Sequence, residues 1–200
     1  MAQTVPAQTQ LPMGGSIVAG QASIQRAGAA LNIQQASQRA AIDWASFNVG
    51  EKAQVNFVQP SANAVMLNRV LDSNPSNVFG KITSNGQIFL SNPNGIYFSP
   101  TSRVEVGGFL ATTLGWGDDL SSIGTMSLKG SSKSGLIWNQ GSISAQDGGY
   151  VGFFSPKIKN EGLIQAKVGA VSLTSGDSVT LQFKERELIK VQVDQGTLDG

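Results

Sequence analysis

The chain has 200 residues, of which 24 are Gly, and a formal net charge of +1 from 14 Lys and Arg against 13 Asp and Glu. It contains no His and no Cys, which excludes Ser-His-Asp and Cys-His catalytic sites, Cys/His zinc sites, iron–sulfur clusters and disulfides. We therefore expect no metal and no cofactor, and the near-neutral charge gives no electrostatic footprint for nucleic acid.

The N-terminal segment, residues 1–14, is predicted to be a flexible mature terminus. It carries no Lys or Arg before Arg26 and no apolar core, so we do not expect a signal peptide in this chain. No apolar run approaches the roughly 18 residues of a membrane-spanning helix. We therefore predict a chain without a transmembrane segment, in which residues 15–200 form the main domain.

Two stretches in the first half are compatible with helices. Residues 27–45 place Leu31, Ile33 and several Ala residues at suitable intervals. Residues 62–71 fit a helix but also alternate as a strand, and periodicity alone does not decide between the two. Longer helices are disfavoured because each interior Gly costs roughly 1 kcal/mol relative to Ala.

The rest of the chain consists of short apolar runs bounded by Gly, Asn, Pro and Ser, which is typical of strands. The predicted strands are residues 55–58, 87–90, 95–98, 103–106, 151–154, 170–173, 179–183 and 188–193. Residues 184–194 alternate apolar and polar side chains, which predicts a half-exposed strand. The charges at 184–187 would discourage edge-to-edge association of an open coil end.

An internal repeat with a period near 20 is clearest within residues 137–180. Asn139, Gly141, Ile143 and Ala145 recur as Asn160, Gly162, Ile164 and Ala166, and Val151 and Ser155 recur as Val171 and Ser175. Strand-type units with this period predict a β-solenoid, in which each coil buries its apolar side against the next. A sandwich of regularly spaced hairpins is the alternative.

The tetrapeptide Asn92-Pro93-Asn94-Gly95 is predicted to form a tight turn between two strands. Pro93 presets φ near −65° and Gly95 accepts positive φ. The turn is either a structural corner or part of a surface that a partner recognises, and the two roles can coexist. Arg69, after Asn68, needs a partner, and we expect it to bond corner carbonyls rather than a binding partner.

The sequence gives little support for a catalytic or a sugar-binding site. Asp118 and Asp119 are adjacent and would point to opposite faces of a strand, which is poor geometry for a shared site. Other carboxylates, at Glu105, Asp147, Glu161 and Asp177, are isolated in the sequence. Three Trp residues could stack on sugars but are interpreted as caps and core edges; they are Trp44, Trp116 and Trp138.

Three motifs in the centre of the chain point to a family. VMLNRV at residues 65–70, SNGQIFLSNPNG at 84–95 and GGFLATTL at 107–114 together resemble the two-partner secretion domain, also called the haemagglutination-activity domain, of filamentous-haemagglutinin-like exoproteins of Gram-negative bacteria. The resemblance covers residues from about 15 to 181. The family commonly carries a second motif of NPNL type, whose nearest match here is Asn74-Pro75-Ser76-Asn77.

The resemblance implies a right-handed, single-stranded parallel β-helix with N-terminal capping strands and short extra-helical hairpins. It implies a non-enzymatic domain that directs a large exoprotein of adhesin, haemolysin or contact-dependent toxin type, and thus of virulence, through a partner outer-membrane transporter. The periplasmic POTRA-type modules of the transporter would recognise this domain, and the domain would nucleate β-helix folding. The corner motifs, Asn92 to Gly95 and Asn74-Pro75, with Asn68-Arg69, would serve recognition or folding.

The same resemblance places the product at the cell surface or outside the cell, reached through the periplasm and outer membrane. Downstream regions would contact host or neighbouring-cell surfaces, and coils of about 20 residues would follow Gly200 in a longer exoprotein. Two other functions stay open at this point. One is a carbohydrate-binding adhesin module, and the other is a β-helix enzyme that degrades polysaccharides, for which two convergent carboxylates would suffice.

Overall fold

The computed structural model describes residues 4–116, 124–131, 133–185 and 187–196. Within these ranges the regular structure is β, arranged as a solenoid of about six turns with an additional sheet packed on one side. The solenoid has three sheets, called sheets 1, 2 and 3. A full coil passes first through sheet 2, then through sheet 1 and then through sheet 3. No helix long and apolar enough to span a membrane occurs in the ranges described.

The strands of the four sheets are as follows. Sheet 1 contains β1 (Ser16–Ala19), β4 (Arg39–Trp44), β6 (Val65–Val70), β9 (Gln87–Ser91), β12 (Gly108–Thr112), β17 (Tyr150–Ser155) and β20 (Ala170–Ser175). Sheet 2 contains β2 (Ala22–Ala27), β3 (Ala30–Gln35), β5 (Gln54–Val58), β8 (Lys81–Ser84), β11 (Arg103–Val106), β16 (Ser142–Ala145) and β19 (Leu163–Ala166). Sheet 3 contains β7 (Ser76–Val78), β10 (Ile96–Phe98), β15 (Leu136–Asn139) and β18 (Lys157–Asn160). The outer sheet contains β13 (Gly115–Trp116), β14 (Thr125–Lys129), β21 (Ser178–Lys184) and β22 (Glu187–Gln195).

Successive coils pair in parallel and in register, so that like side chains stack through the core. In sheet 2 one such stack runs through Leu31, Val55, Ile82, Val104, Ile143 and Ile164. The side chains of the first five are buried, and Ile164 on the last coil is partly buried. The continuous stack explains why aliphatic and β-branched residues dominate the inward positions.

The predicted repeat is confirmed by the strand register. Asn139 pairs with Asn160, Ile143 with Ile164, Ala145 with Ala166, Val151 with Val171 and Ser155 with Ser175. Each pair joins neighbouring coils through parallel strands. The sandwich alternative is therefore wrong.

Residues 27–45, whose pattern is compatible with a helix, contain β3 and β4 instead. Residues 62–71 contain β6, which settles their ambiguity in favour of a strand. Every residue of β4 has a parallel partner in β6. Sheet pairing and burial of the inward side chains outweigh the local helix preference of the Ala residues.

The N-terminal end of the solenoid is capped by two antiparallel strands, β1 against β4 and β2 against β3. The segment before β1 also contacts the first coil. The carbonyl oxygens of Gln8 and Gln10 accept hydrogen bonds from the backbone N–H groups of Lys52 and Gly50, at 2.8 and 2.9 Å, and the side chain of Leu11 is buried. The division of the chain after residue 14 stays a prediction.

The outer sheet is antiparallel and packs on the outward face of sheet 1. Its strands β21 and β22 were predicted as strands, and they form a hairpin beside the solenoid, in agreement with the predicted extra-helical hairpins. Lys184 and Glu187 pair at the hairpin's end, and Glu185 has a φ of 53°. The expectation that charges at 184–187 protect an open coil end is therefore wrong. The open end is formed by β18, β19 and β20, each with a single neighbouring strand.

Candidate functional site at the corner between sheets 1 and 3

The motif Asn92-Pro93-Asn94-Gly95 forms a tight turn where the chain passes from β9 to β10. The Gly95 N–H donates to the Asn92 carbonyl oxygen at 3.1 Å, and the Asn94 N–H donates to Asn92 Oδ1 at 3.0 Å. Gly95 has a φ of 124°, which favours glycine. Pro93 is exposed and Asn94 half-buried. The predicted turn, with its positive φ at Gly95, is confirmed.

Asn92 connects three coils at this corner. Its side chain is fully buried, and its Nδ2 donates to the Asn74 carbonyl oxygen and to Ser76 Oγ, both at 3.0 Å. Its backbone N–H donates to the Thr112 carbonyl oxygen on the next coil, at 3.0 Å. The shape of the turn therefore depends on a buried amide whose partners lie on the coils before and after it.

The second motif, Asn74-Pro75-Ser76-Asn77, lies on the preceding coil at the same corner. The Ser76 N–H donates to the Gly95 carbonyl oxygen at 3.0 Å, so the two motifs are hydrogen-bonded to each other. The Asn77 N–H donates to Asn48 Oδ1 at 2.8 Å, which extends the contacts to the first coil. Asn74 is exposed. The structure thus brings together the two Asn-Pro motifs that the sequence singled out.

Asp72 belongs to the same corner but was not among the predicted site residues. Its carboxylate accepts hydrogen bonds from the Asn74 N–H at 3.2 Å and from Asn74 Nδ2 at 3.1 Å. Its carbonyl oxygen accepts one from Asn94 Nδ2 at 2.8 Å. An Asp two residues before an Asn-Pro pair is the available sequence signal, since Asp side chains bond the backbone two residues further on.

A polar cavity of about 320 Å³ opens beside the second motif. Its lining combines the N-terminal segment with polar side chains of the first two coils: Thr4, Pro6, Gln10, Ser46, Asn48, Asp72, Asn74, Pro75 and Asn77. Amide, hydroxyl and carboxylate groups at this surface supply both donors and acceptors. The corner can therefore form hydrogen bonds with a polar partner without a strong charge of its own.

Asn68 and Arg69 lie on β6, near the corner, but they have different roles. Asn68 is fully buried, accepting a hydrogen bond from Trp44 Nε1 at 3.0 Å and donating to the Phe89 carbonyl oxygen at 3.3 Å. Arg69 is in register with Ser91 and forms a bidentate salt bridge to Asp43, at 2.7 and 3.0 Å. The expected bonds from Arg69 to corner carbonyls are therefore replaced by a carboxylate on the neighbouring coil.

A second polar surface cluster, on sheet 3, was missed by the sequence analysis. One Glu161 oxygen, Oε2, accepts hydrogen bonds from Trp138 Nε1 at 2.8 Å and Gln140 Nε2 at 3.0 Å, and Lys159 Nζ lies 2.9 Å from the other oxygen, Oε1. These contacts, of which the Lys159 bond is the largest, lower the pKa of Glu161. Burial, and then the charge of Glu161, raise the pKa of Tyr97.

The Trp residues are engaged within the structure rather than presented as a sugar-binding platform. Trp44 is in the core, Trp116 packs against Phe89 at 5.6 Å between ring centroids, and Trp138 packs between Tyr97 and Lys159. This agrees with their interpretation as caps and core edges.

Two of the isolated carboxylates form salt bridges with Lys side chains. The structure pairs Glu105 with Lys81 and Glu161 with Lys159, each at 2.9 Å. Among the described residues, no three acidic side chains are grouped so that they could hold a metal ion. Asp118 and Asp119 lie outside the described residues.

Comparison with protein families and curated proteins gives the following matches. The family model described as the TPS secretion domain matches residues 7–198. One heme/hemopexin-binding protein of Haemophilus influenzae is 35% identical over 198 residues, covering 92% of this chain and 21% of that protein. Another from the same species is 46% identical over 83 residues, covering 42% of this chain and 9% of that protein. The chain thus spans about a fifth of the length of the first relative.

Two solved structures are similar to the whole solenoid. The HMW1 secretion domain from Haemophilus influenzae matches with a TM-score of 0.80 and 30% identity, over 92% of this chain and 49% of that one. The filamentous hemagglutinin secretion domain matches with a TM-score of 0.61 and 15% identity, over 94% of this chain and 72% of that one, and this likeness shows the fold alone. The family that matches is a secretion domain and not an enzyme family, which confirms the predicted non-enzymatic character.

Proposed function

The chain belongs to the TPS secretion domain family, as its motifs predict, and from this premise we propose that it directs a longer exoprotein through a partner outer-membrane transporter. The exported product passes through the periplasm and reaches the cell surface or the medium. The transporter's periplasmic modules, of POTRA type, bind this domain before the rest of the exoprotein follows.

The observation that carries the proposal is the corner formed by the two Asn-Pro motifs. Asn92 is buried and fixes the turn, while Pro93 and Asn74 present exposed side chains on the outside of the same corner. A rigid scaffold under exposed polar groups favours recognition, since less conformational freedom is lost on binding. The cavity beside Asn74 adds hydrogen-bonding groups that suit an extended polypeptide.

The experiment measures binding of the chain to the purified periplasmic region of the transporter encoded beside its gene. Asn74→Ala and Pro93→Ser alter exposed groups of the corner, and Val58→Ser alters an exposed residue of sheet 2 as a matched control. We expect the corner variants to bind about tenfold more weakly, which corresponds to about 1.4 kcal/mol. Their urea midpoints should stay close to the wild-type value.

Equal binding by the corner variants and the Val58→Ser control would contradict the assignment of the corner. A loss of binding that appears only together with a lowered urea midpoint would assign the motifs to folding instead.

We also propose that the domain nucleates folding of the chain that follows it in the exoprotein. On the last coil, Val171 and Leu173 are 49% and 43% exposed, whereas their stacked partners Val151 and Phe153 are fully buried. A further coil would cover these side chains and pair with the free edges of β18, β19 and β20. A cavity of about 390 Å³, lined by Ile158 and Leu173 among others, lies at this end.

A longer piece of the exoprotein tests the template role. If the open end nucleates further coils, amides of β18 to β20 should exchange at least tenfold more slowly in the longer piece than in the 200-residue chain. Unchanged exchange in these strands would contradict the role, while binding to the transporter could still hold.

The downstream exoprotein is proposed to be of adhesin, haemolysin or contact-dependent toxin type. The support is the family alone, because the chain spans about a fifth of its first relative. The adhesin type is tested by comparing cells that display the complete exoprotein with cells that lack it. The measurement is their attachment to host or neighbouring cells.

A further inference from the structure

The outer sheet is assembled from two segments that lie far apart in the chain. The first, with β13 and β14, leaves the solenoid after β12, and the second, with β21 and β22, leaves it after β20. Strand β14 pairs with β21 along five residues, and the Gly130 N–H donates to the Asp177 carbonyl oxygen at 2.7 Å. The first segment therefore acquires its main strand partner only from the end of the domain.

Strand β21 covers an apolar stripe on the outward face of sheet 1. The stripe consists of Leu67, Phe89 and Leu110, which are in register on neighbouring strands and are buried. Alternate residues of β21 cover the same face: Val179, Leu181 and Phe183, all of them buried. Met126 and Leu128 of β14 are buried in the same cluster, and Trp116 packs on Phe89. Without the outer sheet, these large apolar side chains of sheet 1 would face water.

Some contacts that β21 and its turn make join residues much further apart in the sequence than the strand partners within the solenoid. The ring of Phe183 lies 5.8 Å from that of Phe89 and 5.3 Å from that of Tyr150. Gln87 Nε2 lies 3.5 Å from the Glu185 carbonyl oxygen, 98 residues further along the chain. Solenoid coils instead pair with the coil next to them, so they can be added one after another. Remote contacts form late, because the loop that they close must be ordered first.

We propose that the hairpin of β21 and β22 is a closing element, which docks last and covers the apolar stripe of sheet 1. The solenoid forms first, coil by coil, with Leu67, Phe89 and Leu110 not yet covered by β21. The role of this folding order during export rests on the proposed function. In a chain that leaves the cell from its N-terminal end, the cover of the stripe is incomplete until β21 and β22, which end at Gln195, have emerged, so the domain is completed only then.

Refolding of the 200-residue chain tests the order without any transporter. Pulsed hydrogen exchange, read by mass spectrometry, follows protection of each strand after dilution from urea. We expect β5, β6, β8 and β9 to become protected in an earlier phase than β14 and β21. Simultaneous protection of all these strands, or earlier protection of β21, would overturn the proposal.

A pair of core variants provides a second test in the native state. Leu181→Ala removes a buried contact of β21, and Ile143→Ala removes an equally buried contact of the solenoid. Leu181→Ala should raise exchange in β14 and β21 at least tenfold while leaving β8 and β11 within twofold of wild type. Ile143→Ala should raise exchange in both groups. Equal acceleration of β8 and β14 by Leu181→Ala would contradict a separate closing element, and it would leave the transporter-binding result unaffected.

Discussion

The substitution Asn92→Ala tests the corner most sharply, because it removes a fully buried side chain that connects adjacent coils. It deletes the bonds from Nδ2 to the Asn74 carbonyl oxygen and to Ser76 Oγ, and the bond that Oδ1 accepts from the Asn94 N–H. Ser76 is buried, whereas Asn74 and Asn94 can reach water. One buried group left unpaired costs about 1–3 kcal/mol, and the space left behind adds to this. We expect a loss of about 3 kcal/mol.

Urea unfolding, followed by circular dichroism, measures this loss. With a dependence of about 3 kcal/mol per molar urea, the midpoint should fall by about 1 M. Asn74→Ala is the matched control, since its exposed side chain bonds Asp72 nearby, and its effect should stay within about 0.5 kcal/mol. An Asn92→Ala midpoint equal to that of Asn74→Ala would refute the argument that the buried amide holds the corner together.

Three further substitutions test other parts of the structure. Burial raises the pKa of Tyr150 well above its ordinary value, so the folded state loses stability once pH rises above the ordinary pKa of tyrosine. Tyr150→Phe should therefore unfold at a higher pH than wild type in an alkaline titration. At neutral pH it should be about 1 kcal/mol less stable, because Gln87 Oε1 loses its donor. The pKa of Glu161 is lowered, so its carboxylate stabilises the folded state above the ordinary pKa of glutamate, and this stability is lost as pH falls through the lowered pKa. Urea midpoints of wild type and Glu161→Gln should therefore differ at neutral pH and converge in acid. Val168 has a φ of 50° and is 93% exposed, so Val168→Asn should raise the urea midpoint by the equivalent of about 1 kcal/mol, and a fall would contradict strain there.

The repeat could be predicted from the sequence where the coils are uninterrupted. Asn139 and Asn160 are direct partners because the coil that leads from β15 to β18 contains no insertion. Earlier in the chain the coils differ in length, since the register steps from Leu31 to Val55, Ile82 and Val104 are 24, 27 and 22 residues. The segment with β13 and β14 is then inserted into the next coil. Irregular coil lengths therefore conceal a regular stack of side chains.

The outer sheet left a signal that the sequence analysis did not use. In β16 apolar and polar residues alternate, as expected for a strand with one face in water. In β9 and β12 every residue is buried, and both contain consecutive apolar residues, including Phe89 and Leu110. Runs that are apolar on both faces indicate strands covered on both sides. Which segment covers them depends on a remote contact that local pattern does not specify.

The corner shows the same division between local and remote information. The turn from Asn92 to Gly95 follows from its own residues, since Pro and Gly set the backbone conformation. Its connection to Asn74 and Ser76 depends on the stacking of coils, and that depends on the register of the whole solenoid. A sequence therefore predicts the turn but not the buried amide that holds it in place.

Export of the chain itself is the most direct test of its role as a secretion domain. The 200-residue chain, given a leader that delivers it to the periplasm, is expressed with and without the transporter encoded beside its gene. Immunoblots of medium and periplasm should show the chain in the medium only when the transporter is present. The same distribution with and without the transporter would contradict the account.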